Sequence, residues 1–418
     1  MKTSSLLRRL EPFIGADIPY FISGGSWLVS QVMLSYIMGF ARLVVLTNLL
    51  SVDTYGAFQY IQSVYGVLVI LVLPGLSIAV SQSVARGFEG ALRTASKQRR
   101  RWGILAVAGA LGVGGYHYLL GETEIAAGMF LVGITLPLIE SFNLYTSFLT
   151  GRALFKKQAI FGVVAQAFTL VIVVAVVAIA NDLVYLVAAF YLSSLLVGFL
   201  FYVKTEKGIS LESSIDPEMG KYARSLSPLQ ALTAISLAAD RILLFQFLGP
   251  LEVAVFSVAI AMPNRLKGLS RITGALAFPK LATKSAKNIA ESLPSKLALM
   301  AGVILIVCLI YVFTAPVLFR WFFPQYVNAI KLSQVLVFYA LIGVSYPIGA
   351  FLQSHKRIKQ SYMLGVGVFA ARMISLLVFI PIFGIWGAVI SSLISAAASL
   401  GISLFFLYRE RRVRFQHE

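Results

Sequence analysis

The sequence predicts an all-α polytopic membrane protein of about twelve transmembrane helices, and three observations support this fold class. Hydrophobic residues make up 59% of the chain and charged residues only 12%, with a mean hydropathy of +0.86, whereas about a quarter of the residues of a soluble domain are charged. Long apolar stretches recur with short breaks, and the breaks alternate between basic and acidic composition. So little polar surface cannot cover a soluble globule of this size, and the protein is therefore expected to face the lipid bilayer.

Each apolar stretch is long enough to cross a bilayer, which takes about 20 helical residues. The stretches lie near residues 26–50, 59–82, 102–120, 125–149, 158–180, 183–203, 226–248, 253–279, 297–319, 329–353, 361–381 and 384–408. An even number of spans returns the chain to its starting side of the membrane, which is consistent with both termini lying on one side.

The connections between the spans fall into two sets by charge. One set is rich in Arg and Lys and includes Arg86–Arg101, Lys280–Lys296 and the tail Arg409–Arg414. The other set is short and acidic or neutral, with Asp53 and Glu252 among its residues. Because cytoplasmic connections carry the excess of Arg and Lys, the sequence predicts a multi-pass protein of the bacterial inner membrane with cytoplasmic N- and C-termini. The net charge of +18 is spread over separate loops, which argues against nucleic acid as a partner, since nucleic acid favours one contiguous basic patch.

The two halves of the chain resemble each other. Leu49–Phe58 after the first span corresponds to Phe247–Phe256 after the seventh, and Phe148–Gly151 corresponds to Phe351–Ser354, at an offset of about 200 residues. We therefore expect two parallel six-helix repeats around a central cavity. Their predicted bounds are 1–205 for the N-terminal bundle, 206–225 for a central cytoplasmic loop and 226–418 for the C-terminal bundle. Such repeats are typical of transporters with a substrate site near the bilayer midplane.

Ionisable residues inside the predicted spans mark the candidate site. A charge at the bilayer centre costs about 2.5–3.5 kcal/mol on insertion scales, so these residues are expected to face a cavity or a partner. The cations, which we assign to substrate binding, are Arg42, Arg241, Arg265, Lys267, Arg271 and Arg372. The acids, which we assign to coupling or ion pairing, are Glu140 and Asp240. An excess of cations predicts an anionic cargo, because Arg binds phosphate oxygens through a planar fork.

Several of these assignments leave an alternative open. In the eighth span, the side chains of Lys267 and Arg271 either face the cavity or extend to the cytoplasmic interface. Asp240 and Arg241 form a structural pair or contribute to the cavity, and Glu140 neutralises an arginine or carries a coupling proton. In the eighth span, Pro263 and Gly268 are also expected to weaken the helix, and a bent or broken helix at this depth usually lines a water-filled cavity.

The deepest cations suggest how an anion is held. Arg42, Arg241 and Arg372 lie far from both interfaces, and we interpret them as a relay for a pyrophosphate group, with Asp240 and Glu140 as resting partners.

Neither a metal nor a cofactor is expected. The one cysteine, Cys308, lies in an apolar span, and His117, His355 and His417 are too far apart in sequence for a metal-ligand spacing. The sequence also has no glycine-rich phosphate loop for a nucleotide. The prediction is therefore a protein that is not an enzyme.

Four segments resemble motifs of one transporter family. They are the turn Leu49–Gly56, the run Ala239–Leu244 with Leu248–Pro250, the helix end Ala277–Ala282 and the turn Ile380–Ala388. Together they are similar to the Wzx-type lipid-linked oligosaccharide (O-antigen) flippases of the multidrug/oligosaccharidyl-lipid/polysaccharide exporter superfamily. The chain departs from the family pattern at Ser51-Val52, where Gly-Pro is usual, and at Arg372, where many relatives carry an uncharged polar residue.

This resemblance implies a function. The expected substrate is an undecaprenyl-pyrophosphate-linked oligosaccharide repeat unit, moved from the cytoplasmic to the periplasmic leaflet by alternating access for assembly of O-antigen or a related surface polysaccharide. Proton or sodium coupling and a partnership with the O-antigen polymerase machinery are expected with it.

Three other functions fit the sequence less well. A multidrug antiporter of the same fold would need acidic residues in its lumen. A peptidoglycan-precursor flippase is closer to this chain in the chemistry of its substrate, but members of that family are expected to have fourteen helices on a longer chain. A membrane-embedded glycosyltransferase would need catalytic acids near a large outer loop, and the predicted outer loops are short.

Overall fold

The computed structural model describes residues 18–210, 212–282, 286–349 and 358–415, and within these ranges the chain is helical apart from turns and short connections. Three short 3-10 segments, Val69–Val72, Pro324–Tyr326 and Val337–Ser345, lie between α-helices. The α-helices are α1 Ile18–Leu49, α2 Val52–Leu68, α3 Leu76–Ala85, α4 Ala91–Leu119, α5 Thr123–Phe142, α6 Leu144–Gly151, α7 Phe155–Ile179, α8 Leu183–Glu206, α9 Met219–Leu248, α10 Pro250–Ala282, α11 Ala286–Phe322, α12 Ala329–Leu336, α13 Ile358–Phe383 and α14 Ile385–Phe415.

The all-helical polytopic membrane fold is confirmed. In the described part of the chain, ten helical stretches are long and apolar enough to cross a membrane. The two predicted spans that are not among them, near 102–120 and 253–279, correspond to the long helices α4 and α10. α10 contains the basic residues Arg265, Lys267, Arg271 and Lys280, which lower its hydropathy. The number twelve and the sides of the termini therefore stay predictions.

Helix breaks occur at other places than the sequence suggests. The second span is interrupted where Leu73 adopts a left-handed φ of 55° between α2 and α3. The tenth span changes from α12 to the 3-10 segment Val337–Ser345. α10 is continuous through Pro263 and Gly268, so the helix is not broken at these residues. One proline removes one backbone hydrogen bond, and packing against neighbouring helices tolerates that loss in a membrane.

The chain divides into two compact units. The first unit comprises residues 1–50 and 65–231, and the second unit comprises residues 51–64 and 232–418. The division into 1–205, 206–225 and 226–418 stays a prediction.

The core of the first unit includes part of the central loop. Ile209 and Met219 are buried in one cluster with residues of α3 and α4. Asp216 accepts a hydrogen bond from the Ser83 hydroxyl at 2.6 Å and pairs with Arg86 at 2.9 Å. These contacts lower the pKa of Asp216, with the Ser83 hydrogen bond as the main cause. The segment from Ile209 to Met219 is thus fixed to its own unit at several points.

Candidate functional site

The second unit contains a buried cluster of charged groups contributed by separate elements. We call Asp240 of α9, Lys267 of α10, Tyr339 of the 3-10 segment and Arg372 of α13 the cation cluster. Arg372 donates to the Asp240 carboxylate at 2.9 Å and to the Tyr339 hydroxyl at 3.2 Å. Lys267 also donates to the Tyr339 hydroxyl at 3.2 Å, and its ammonium lies 4.5 Å from the Tyr339 ring centroid. One phenol oxygen therefore receives hydrogen bonds from two cations.

The cation cluster carries more positive than negative charge. Asp240 is 3%, Arg372 5% and Lys267 9% exposed. Two cations therefore face one carboxylate, and the Nε of Arg372 is buried without a hydrogen-bond partner. Burying a net charge is unfavourable unless it is compensated. The arrangement is suited to bind an anion, because phosphate oxygens accept charge-assisted hydrogen bonds from Arg and Lys.

The other cations on α9 and α10 have separate contacts. The Arg241 Nε donates to the Ser257 hydroxyl at 3.0 Å, and Arg265 donates to the Ala261 carbonyl of its own helix at 3.0 Å. Both side chains are half-buried. The ion pair of Asp240 is with Arg372, and Arg241 bonds to Ser257 instead. The side chain of Arg271 lies outside the described residues. Lys267 is directed to Tyr339, which disfavours its extension to the interface.

Glu140 belongs to a different network, in the first unit. Its carboxylate accepts from the Tyr65 hydroxyl at 3.0 Å and lies 3.5 Å from Arg99. Arg99 is 3% exposed and also donates to the Glu140 carbonyl at 2.7 Å and to the Ser77 hydroxyl at 2.8 Å. In the sequence, Arg99 belongs to the basic connection Arg86–Arg101. Glu140 therefore neutralises a buried arginine that sequence reasoning missed.

Arg42 lines a cavity of about 500 Å³ in the first unit. Its guanidinium lies 5.2 Å from the centroid of the Phe190 ring. The cavity is bounded by residues of α1, α7 and α8 and by the junction of α5 and α6. Its lining includes Ser35, Tyr36, Met38, Gly39, Asn143, Tyr145, Ala165, Gln166, Thr169, Leu170, Ser194, Val197 and Gly198.

The structure thus groups the predicted site residues differently from the sequence. Asp240, Lys267 and Arg372 come together, whereas Glu140 and Arg42 lie in separate surroundings in the first unit. Tyr339 and Arg99 were missed. Tyr339 lies in an apolar run, Val335–Ile342, and an aromatic residue in such a run is indistinguishable by sequence from one that only packs against its neighbours. Arg99 could have been found from helical phase, because Ser96, Arg99 and Gly103 are buried on one side of α4.

Comparisons with known proteins agree with this fold. A family model described as "Polysaccharide biosynthesis protein" matches residues 21–216. A search of curated protein sequences finds no match.

Solved structures match over most of the chain. The lipid II flippase MurJ in an inward closed conformation has a TM-score of 0.71 at 14% identity, covering 91% of this chain and 87% of its own. An inward-facing multidrug resistance transporter of the MATE family in the MOP superfamily has a TM-score of 0.65 at 14% identity, covering 90% and 95%. A MOP superfamily transporter from Pyrococcus furiosus, described as having a binding pocket of reverse polarity, has a TM-score of 0.58 at 14% identity, covering 93% and 95%.

At these identities the likeness establishes the fold. The resemblance to polysaccharide exporters, expected from the four sequence motifs, is supported by the family match over residues 21–216, and the solved structures share the fold.

Proposed function

We propose that the protein is a flippase that moves undecaprenyl-pyrophosphate-linked oligosaccharide repeat units from the cytoplasmic to the periplasmic leaflet of the bacterial inner membrane. Transport would proceed by alternating access and serve the assembly of O-antigen or a related surface polysaccharide. The observation that carries the proposal is that two buried cations, Arg372 and Lys267, share the Tyr339 hydroxyl as acceptor, while the Nε of Arg372 has no hydrogen-bond partner. The match to a polysaccharide biosynthesis family and the fold shared with a lipid II flippase also support this proposal.

The cation cluster offers chemistry suited to a pyrophosphate headgroup. Arg372 presents a planar fork and a buried Nε, which match two phosphate oxygens. Lys267 supplies a second charge, and the Tyr339 hydroxyl can donate a hydrogen bond once an anion accepts from the two cations. Asp240 holds Arg372 in the resting state, and an incoming oxyanion would displace its carboxylate.

The remaining cations extend this proposal. Arg241, Arg265 and Arg271 would contact the substrate as it passes, and Arg42 would contact it in the first unit. Coupling to protons or sodium through Asp240 or Glu140 belongs to the same proposal, as does cooperation with an O-antigen polymerase.

A multidrug antiporter of the same fold is the alternative function. Organic cations bind best to unpaired carboxylates, yet Asp240 and Glu140 each lie against an arginine. The charge of the cation cluster would repel such a drug. A lipid-linked anion fits the cluster better.

Deletion of the gene tests the proposal in cells. The expected result is loss of the surface glycan and accumulation of undecaprenyl-linked repeat units in the cytoplasmic leaflet, both restored by a plasmid copy. Unchanged surface polysaccharide together with new sensitivity to cationic drugs would instead support the antiporter.

A further inference from the structure

The cavity lined by Arg42 has a chemistry different from that of the cation cluster. We propose that it is a carbohydrate subsite, which takes distal sugar rings of the lipid-linked substrate. This inference rests on the proposed function and assigns a second part of the substrate to a separate place in the chain. We call it the glycan cavity, and it is defined by the lining given above.

Neutral hydrogen-bonding groups dominate its polar lining. Asn143 and Gln166 contribute amides, and Ser35, Thr169 and Ser194 contribute hydroxyls. Each amide offers two donors and a carbonyl acceptor, and each hydroxyl can donate or accept. Sugar hydroxyls have the same dual character, so this lining can pair with them without a net charge.

The position of these groups in the helices indicates that they serve a ligand or water. Gln166 is near the middle of α7, a candidate membrane span, and its side chain is exposed. Asn143 is also exposed and occupies the turn between α5 and α6, within the candidate span Thr123–Gly151. Polar side chains at membrane depth almost always face a protein interior or a water-filled cavity, because lipid cannot satisfy them.

Two features give the cavity a defined shape. Gln166 donates to the Ser35 hydroxyl at 2.8 Å, which links α7 to α1 and orients the amide. Tyr36, Tyr145 and Phe190 add aromatic surface, and Phe190 also holds the Arg42 guanidinium. A volume of about 500 Å³ falls within the range of roughly 300–1,000 Å³ typical of small-molecule sites. That volume suits a short glycan.

Charge distinguishes this occupant from the alternatives. Among the described lining residues, Arg42 carries the only ionised side chain, and neither Asp nor Glu lines the cavity. An organic cation would therefore find no counter-charge there. An acyl chain offers no hydrogen-bonding group to the Asn143 and Gln166 amides, whereas a sugar does. A sugar can pair with the amides through its hydroxyl groups, and the carboxylate of an acidic sugar could in addition pair with Arg42.

Binding of lipid-free glycan tests the subsite apart from transport. The probe is the repeat-unit oligosaccharide, released by mild acid from the lipid carrier that accumulates in deletion cells. Its affinity for purified protein in nanodiscs would be measured by calorimetry for the wild type, Asn143→Ala and Gln166→Ala. Asn48→Ala is the matched control, because Asn48 is an exposed amide on α1 that bonds to the Val44 carbonyl and does not line the cavity.

We expect the wild type and Asn48→Ala to bind alike, and each cavity variant to bind at least about 5-fold more weakly, as expected for lost hydrogen bonds. Absence of glycan binding by the wild type, or equal affinity in both cavity variants and the wild type, would overturn the subsite. Glycan binding in a protein that does not move lipid-linked substrate would overturn the proposed function and leave the subsite standing.

Discussion

Substitution of Asp240 by Asn is the most informative change to the cation cluster. It removes the carboxylate that lies 2.9 Å from Arg372 and so breaks the ion pair of this buried guanidinium. At this distance, two unit charges interact by about 6 kcal/mol at an effective dielectric constant of about 20. Removing one partner of a buried ion pair costs about 3–5 kcal/mol of stability. We therefore expect a loss of that order for Asp240→Asn.

The assay is thermal unfolding of purified protein in detergent, with Arg372→Gln and the double variant completing a double-mutant cycle. The double variant should be less destabilised than the sum of the single changes, because it removes both members of the pair. Addition of inorganic pyrophosphate should raise the midpoint of Asp240→Asn more than that of the wild type, since the anion no longer competes with a carboxylate. Binding at 100 times its Kd would restore about 2.7 kcal/mol. Additive losses and equal shifts with pyrophosphate would refute the reasoning.

Three further predictions concern other parts of the chain. Tyr339→Phe removes the acceptor shared by two buried cations and should lower stability by about 1–3 kcal/mol in the same unfolding assay; an unchanged midpoint would show that water replaces the hydroxyl. In a Cys308→Ser background, cysteine at position 97 in place of Lys97 should resist an impermeant maleimide in intact cells, whereas cysteine at position 53 in place of Asp53 should react. The reverse pattern would contradict the topology. Asp216→Asn should lower thermal stability at pH 7, and the difference from wild type should shrink as the pH falls through the depressed folded-state pKa of Asp216, because protonation then removes the same charge from the wild type. A difference that is independent of pH would contradict this account.

The fold could be predicted from the sequence because membrane spans are a local property. About 20 consecutive apolar residues form a span whatever their neighbours are, and the helices of the structure follow the predicted stretches closely. Breaks depend on more than local sequence. Gly75 permits the close approach of the Ala223 carbonyl, which a Cβ at Gly75 would meet at 2.2 Å. The positions of Pro and Gly in the sequence do not predict that contact. They also do not predict that α10 is continuous through Pro263.

The candidate site could be predicted only in part. Arg372 and Asp240 stand out in the sequence because a charged side chain in an apolar span is unfavourable unless it faces a cavity or a partner. Their pairing joins residues that are 132 positions apart, so it depends on tertiary packing. Arg99 was hidden because it follows several other basic residues of a connection, although α4 carries it into the interior. Tyr339 was hidden because aromatic residues are common in spans.

Reconstituted transport tests the central claim most directly. Proteoliposomes would carry undecaprenyl-pyrophosphate-linked repeat units, and transfer between leaflets would be followed by the access of a glycan-modifying enzyme added outside. The account predicts that the wild type exposes the glycan faster than empty liposomes, that Arg372→Ala falls to the empty-liposome rate at equal protein content, and that Arg372→Lys lies between them because it keeps the charge without the fork. A wild-type rate equal to that of empty liposomes, in protein that exports a cationic dye, would contradict it.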